Sequence, residues 1–129
     1  MTINIVQPPG SPAPAGHYSP AIEHGGTVYV SGQLGRGPGL TDAQAGDIRV
    51  QTRRALASIE AILQAAGTDL ANVLKMNVYI SDIDLWPACN EQYAQILGSH
   101  RPARAIIPTG ALHYGALVEI DAIAALRHP

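Results

Sequence analysis

The stretch "ALVEIDAIAAL", residues 116–126, decides how the fold is read. In an extended chain successive side chains point to opposite faces. Val118, Ile120, Ala122 and Ala124 therefore share one side, and Leu117, Glu119, Asp121 and Ile123 share the other. The first side is wholly apolar and needs a layer of helices. The second mixes two large apolar residues with two carboxylates, so it also needs cover, and the simplest cover is another copy of the same sheet. That predicts subunits joined through a shared interior.

Working backwards, "RPARAIIPTG", residues 101–110, reads as a short strand carrying Ala103, Ala105, Ile106 and Ile107, with Pro102 and Pro108 stiffening its ends. Arg104 stands in its middle. A buried guanidinium without a partner costs several kcal/mol, so Arg104 must reach solvent or meet an anion. Two partners are open: a structural salt bridge to Glu119 or Asp121, or the carboxylate of a ligand, which a planar guanidinium fork grips in two places.

Further upstream, "NVLKMNVYI", residues 72–80, alternates Leu74, Met76, Val78 and Ile80 against Val73, Lys75, Asn77 and Tyr79, the period of a strand. Between these strands Asp82 and Asp84 offer caps for a helix, with Pro87 in its first turn and Gly98 past its end. Trp86, Asn90, Tyr93 and Leu97 fall on one side of it. From about Asp47 to Ala66, the apolar Ile48, Leu56, Ile59, Leu63 and Ala66 recur at helical spacing, Thr52 falls on the same stripe, and Gly67 follows as a stop. Gly25-Gly26 separates two apolar-containing runs, a two-residue hairpin signal that places strands near 19–24 and 27–32. "INIV" at the N-terminus reads as an edge strand, "QPPGSPAPAG" (7–16) as an irregular lead-in, and "LGRGPGLTD" (34–42) as a glycine-rich loop. The order is β, ββ, α, β, α, ββ, an α+β arrangement with two helices on one face of a mixed sheet.

Composition narrows the function. The chain has 129 residues, enough for one domain that hides roughly two thirds of its unfolded surface. Apolar residues make up 47% and charged residues 14%, against about 25% charged in an average soluble domain. So little charge favours an oligomer. The net charge is −2 and no run gathers lysines and arginines, so nucleic acid is not expected as a partner. The start of the chain has no basic segment followed by an apolar block, and no eighteen apolar residues run together, so neither export nor a membrane is expected. The single cysteine, Cys89, suits a reducing cytoplasm.

Among polar residues, Glu119 and Asp121 lie two apart and project the same way; each is read either as solvated near an edge or paired with Lys75, or as a general acid or base raised by burial. Cys89 reads as an interior thiol. The histidines at 17, 24, 100, 113 and 128 have no two-ligand helical spacing, so no metal site is expected. "SGQLGRGPG", residues 31–39, lacks the lysine and helix of a phosphate loop, although Gly32 can let backbone approach a small ligand.

Five stretches in order, "GHYSPA" (16–21), "VYVSGQ" (28–33), "NVYISDI" (77–83), "RPAR" (101–104) and "VEIDAIA" (118–124), resemble the signature of the Rid proteins, also called the YjgF/YER057c/UK114 family. The resemblance covers nearly the whole chain and implies a single domain over residues 1–129 with a chorismate-mutase-like (bacillus-type) α+β fold. It further implies a homotrimer whose sheets form a central barrel, with ligand clefts between subunits. Members of this kind hydrolyse reactive 2-imino acids (imines and enamines) to 2-keto acids and ammonia, a metabolite-damage control that needs no cofactor. By the resemblance, Arg104 clamps the substrate carboxylate and Glu119 handles the water, while Tyr18, Ser31, Gly32 and Asn90 line the cleft. His17 and Pro20 replace the proline and glutamine that usually flank the cleft tyrosine, and Ile106 stands where many imine deaminases have cysteine. The segment 108–117 also departs from the usual pattern and brings His113 and Tyr114 near the start of the last strand. Ribonuclease and chaperone activities have been ascribed to some relatives; the net charge speaks against the first. Two rival readings stay open: a trimeric small-carboxylate binding protein without turnover, and a deaminase of a bulkier imine or enamine.

Overall fold

The computed structural model describes residues 2–37 and 46–126. Part of the glycine-rich loop (38–42) and His128 lie outside the described residues. Six strands and two long helices follow in the expected order: β1 (Asn4–Val6), β2 (Ala21–His24), β3 (Thr27–Leu34), α1 (Ile48–Ala65), β4 (Val73–Ile80), α2 (Trp86–Leu97), β5 (Ala103–Pro108) and β6 (Val118–Ala125). They form one mixed sheet in the order β1-β2-β3-β6-β4-β5. β6 is central and antiparallel to both β3 and β4. β4 and β5 run parallel, which requires a long crossover, and α2 supplies it. No helix among the described residues is long and apolar enough to cross a membrane.

Local chemistry explains the elements. Gly25 and Gly26 take φ of 61° and 83°, the left-handed pair demanded by a two-residue hairpin between β2 and β3. The Asp47 carboxylate caps α1 by accepting from the Arg49 N–H at 2.8 Å, and Gly67 ends it at φ 90°. The buried stripe of α1 contains Ile48, Thr52, Leu56, Ile59 and Leu63 as expected, widened by Gln51, Ala55 and Ile62; Ala66 is the cap residue. Gln51 is fully buried because its Oε1 accepts the Leu117 N–H at 2.8 Å, fastening α1 to the chain just before β6.

Two expectations need correction. Asp82 caps a short 3-10 turn (Ile83–Leu85) that precedes α2, while α2 itself starts from Leu85 with no side-chain cap and Pro87 in its first turn. The Asp84 N–H is used as donor to Asp82, so neither aspartate caps the long helix. In β4 the register shifts between Val73 and Lys75, so Val73 is buried and Leu74 is half exposed, the reverse of strict alternation.

The sheet face beneath the helices carries Val28, Val30, Met76, Val78, Ile80, Val118, Ile120, Ala122 and Ala124, all within 4% of complete burial. Each fully buried Val, Ile or Met contributes roughly 1.5–3 kcal/mol. The opposite face has no helix among the described residues and leaves Ile5 68%, Tyr29 49% and Ile107 37% exposed. The open second face anticipated from the last strand is therefore present.

Candidate functional site

Arg104 lies on β5 in register with Met76 of β4, and Met76 with Ala122 of β6, so it belongs to the helix-covered face. α2 passes above it and presents Trp86, Asn90, Tyr93 and Leu97 along one side, at spacings of about one helical turn. The Arg104 Nη1 donates to Asn90 Oδ1 at 2.8 Å, and the guanidinium carbon sits 4.9 Å from the Tyr93 ring centre and 5.9 Å from that of Trp86. One hydrogen bond and two aromatic faces thus fix the plane of the fork. Its remaining N–H groups border a groove of about 480 Å³ lined by Tyr93, Leu97, His100, Arg101 and Pro102. His100 holds the turn into β5 with Nε2 at 2.7 Å from the Val73 carbonyl oxygen.

Among the described residues no acid answers Arg104. The one salt bridge among the described residues joins Arg49 to Glu91 at 3.4 Å. Asp121 is engaged elsewhere, accepting from Asn77 Nδ2 at 3.0 Å and from the Tyr79 hydroxyl at 3.1 Å. Neither a solvated edge nor a Lys75 pair describes it. Desolvation, then the bond to Asp121, pushes the Tyr79 hydroxyl above its ordinary value.

Glu119 occupies the other face. It stands opposite Tyr79 in β4 and Leu34 in β3, three residue positions and two strands from the Arg104 register. With about 4.8 Å per strand and 3.3 Å per residue, the two Cα atoms of one chain are roughly 14 Å apart across the sheet. Beside Glu119, β3 bulges between Val30 and Gln33, setting Ser31 and Gly32 against β6. An added Cβ on Gly32 would come within 2.6 Å of Glu119 Oε2, so the absent side chain makes room for the carboxylate. The Ser31 hydroxyl donates to the Ser19 carbonyl at 2.6 Å and its N–H to the Pro20 carbonyl at 2.9 Å, tying the bulge to the loop that carries Tyr18. Tyr18 is half exposed and borders a second groove with Pro8, Pro12, Gln33 and Arg54.

Of the six residues singled out in the sequence, the structure therefore brings together Arg104 with Asn90, and Glu119 with Gly32; Ser31 adjoins Gly32 and is tied to the loop that carries Tyr18, which borders the second groove. What the sequence reading missed is the aromatic clamp. Trp86 and Tyr93 share the Asn90 stripe of α2, and their spacing was the available signal; their contact with Arg104 needed the packing of α2 on β5.

Cys89, one turn before Tyr93, is fully buried. Burial pushes its thiol upward, outweighing the opposing pull of the nearby Thr52 hydroxyl and the Arg104 charge. His113 stacks on Tyr114 with ring centres 3.8 Å apart, and Tyr114 holds a left-handed φ of 59° in the turn before β6.

Residues 9–126 match the family model described as Endoribonuclease L-PSP. A RutC family protein of Pyrococcus horikoshii is 40% identical over 114 residues, covering 88% of this chain and 90% of that protein. A 2-iminobutanoate/2-iminopropanoate deaminase of Capra hircus is 41% identical over 120 residues, covering 93% of this chain and 88% of that one. A crystal structure of YyfA from Yersinia pestis, described as a protein of unknown function of the conserved Rid family, superposes with a TM-score of 0.87 at 34% identity, covering 97% of this chain and all of that one.

Proposed function

The chain belongs to the endoribonuclease L-PSP family, the Rid (YjgF/UK114-like) proteins, and from that premise we propose that it is a cytoplasmic hydrolase converting 2-imino acids to 2-keto acids and ammonia. One observation carries the reading: Arg104 is braced by Asn90, Tyr93 and Trp86 beside an open groove, with no acid among the described residues to neutralise it. Such a fork is set to receive a small carboxylate in bidentate fashion. The deaminase name of a relative at 41% identity supplies the class of carboxylate.

The reaction asks mainly for positioning. Arg104 holds the carboxylate at C1, which places the C2=N carbon at a fixed distance from its wall. Glu119 takes a proton from water as the water oxygen bonds to C2. The same carboxyl group returns that proton to nitrogen, which has taken the C=N π pair, giving a carbinolamine. A second proton then passes from the new hydroxyl through Glu119 to nitrogen, the C2–N bond breaks, ammonia leaves with the bonding pair, and C2 becomes the carbonyl. Tyr18 and the backbone at Ser31-Gly32 close the water side of the cleft, and Asn90 keeps Arg104 in plane.

In one protomer Arg104 and Glu119 point from opposite faces of the sheet, so we place the working cleft between two copies, with Arg104 and Asn90 from one and Tyr18, Ser31, Gly32 and Glu119 from the other. Two unlike halves on one chain make a head-to-tail contact, and a head-to-tail contact that closes forms a ring. We take that ring to be a homotrimer joined through the helix-free sheet face. The net charge of −2 gives no support to a phosphate-backbone substrate.

The test is decay of 2-iminopropanoate generated in situ by an amino-acid oxidase. Wild type should accelerate it, Glu119→Gln should lower kcat, and Arg104→Lys, which keeps charge but loses the fork, should raise KM about tenfold or more. If decay is no faster with protein, while pyruvate still binds and Arg104→Lys weakens it, the chain is a carboxylate-binding protein without turnover.

A further inference from the structure

The groove beside Arg104 is bordered by a second arginine, Arg101, that imine hydrolysis of a simple substrate does not use. Arg101 borders the same space of about 480 Å³, and no lining residue is acidic. Arg101 is exposed, and neither it nor Arg104 is in the one salt bridge among the described residues. Two like charges on one wall repel each other and draw anions. A monocarboxylate would neutralise only one of them.

We propose that Arg101 is a specificity-determining residue that selects 2-imino acids carrying a second carboxylate on a four- or five-carbon chain. This rests on the reading of Arg104 as the C1 carboxylate clamp and deepens it. The volume fits: it lies in the range of small-ligand pockets, roughly 300–1,000 Å³, and leaves space beyond a three-carbon acid. The spacing fits as well. Arg101 and Arg104 are separated by Pro102 and Ala103, so their Cα atoms are at most roughly 10 Å apart, and Pro102 limits how the first can turn away. Both stems are long enough to close on the two ends of one short diacid. Arginine at both positions suits carboxylates, since each can offer two parallel N–H donors. His100 does not compete for the distal anion through Nε2, which is spent on the Val73 carbonyl.

The experiment compares kcat/KM for the imines released in situ from aspartate and from alanine, using wild type, Arg101→Gln and Arg101→Lys. Wild type should prefer the aspartate-derived imine. Arg101→Gln should cut the diacid-to-monoacid ratio by about fivefold or more, through KM rather than kcat, with Arg101→Lys intermediate. Calorimetry with 2-oxoglutarate and 2-oxobutanoate gives a readout independent of turnover: the diacid should bind more tightly, and the gap should shrink in Arg101→Gln. Hydrolysis of the alanine-derived imine with no diacid preference, or a preference untouched by Arg101→Gln, overturns the role of Arg101 and leaves the deaminase reading standing. Failure to bind or hydrolyse either compound overturns both.

Discussion

Replacing Gly32 with alanine tests the site at its tightest contact. The new Cβ would lie 2.6 Å from Glu119 Oε2, 3.0 Å from Cδ and 3.3 Å from Cγ. The carboxylate would have to retreat by about 0.4–0.8 Å to restore an ordinary contact, and on the scale where a 1 Å misplacement costs about a hundredfold in rate, kcat/KM should fall roughly five- to fortyfold. Stability should move little. Gly32 is not among the positive-φ glycines, so alanine fits the backbone, and losing glycine's freedom in the unfolded chain favours folding by about 0.4–1 kcal/mol. Repacking one flexible side chain works against that gain. The assay is 2-iminopropanoate decay alongside thermal melting of the same preparations. A double-mutant cycle sharpens it: in a Glu119→Gln background, with the acting group already gone, Gly32→Ala should add almost nothing. An unchanged kcat/KM in Gly32→Ala, or equal losses in both backgrounds, would refute the placement of Glu119 over Gly32 as functional.

Gly35 gives the opposite outcome from the same substitution. A Cβ there would meet Gln51 Cβ at 2.6 Å, the Gln51 carbonyl at 2.7 Å and Val118 Cγ1 at 2.7 Å, none of which can swing aside, so α1 must lift from the sheet. Gly35→Ala should lower unfolding free energy by about 1–3 kcal/mol in urea titration, and an unchanged midpoint would contradict the packing. Cys89 predicts a pH effect. Its thiol is raised from 9.0 by burial, so above pH 9 the unfolded chain loses a proton that the folded chain keeps, and stability falls as pH rises. Urea midpoints at pH 7 and 10 should diverge less in Cys89→Ala than in wild type; equal divergence would remove Cys89 as a source of the slope.

Much of the fold was legible because burial imposes periods on sequence. The α1 stripe, the Gly25-Gly26 hairpin and the alternation of β6 each follow from one element meeting one apolar layer. The failures occur where a second interaction overrides the period. The shift between Val73 and Lys75 moves Leu74 out of the core, and no residue type there announces a bulge. Asp82 caps the nearest available N–H, which belongs to a 3-10 turn, since a carboxylate serves any free first-turn donor and sequence does not say which turn comes first.

The site was legible residue by residue but not as a site. Arg104 in an apolar strand is visible as an anomaly, and parity within β6 correctly sends Glu119 away from Val118 and Ile120. Which face Arg104 takes depends on its register with Met76, and a parallel pair joined by a twelve-residue helix leaves no sequence mark of register. Once that register is known, the salt bridge considered from sequence fails: the guanidinium and both acids of β6 project from opposite faces, and Asp121 is already held by Asn77 and Tyr79. An arginine kept from every acid among the described residues, with aromatic rings on its flank and a groove before it, retains a charge that water answers in the isolated protomer. That charge, hydrated and unpaired among the described residues, suits an anion brought from outside, and on the proposed reading Glu119 reaches the same anion from a second copy.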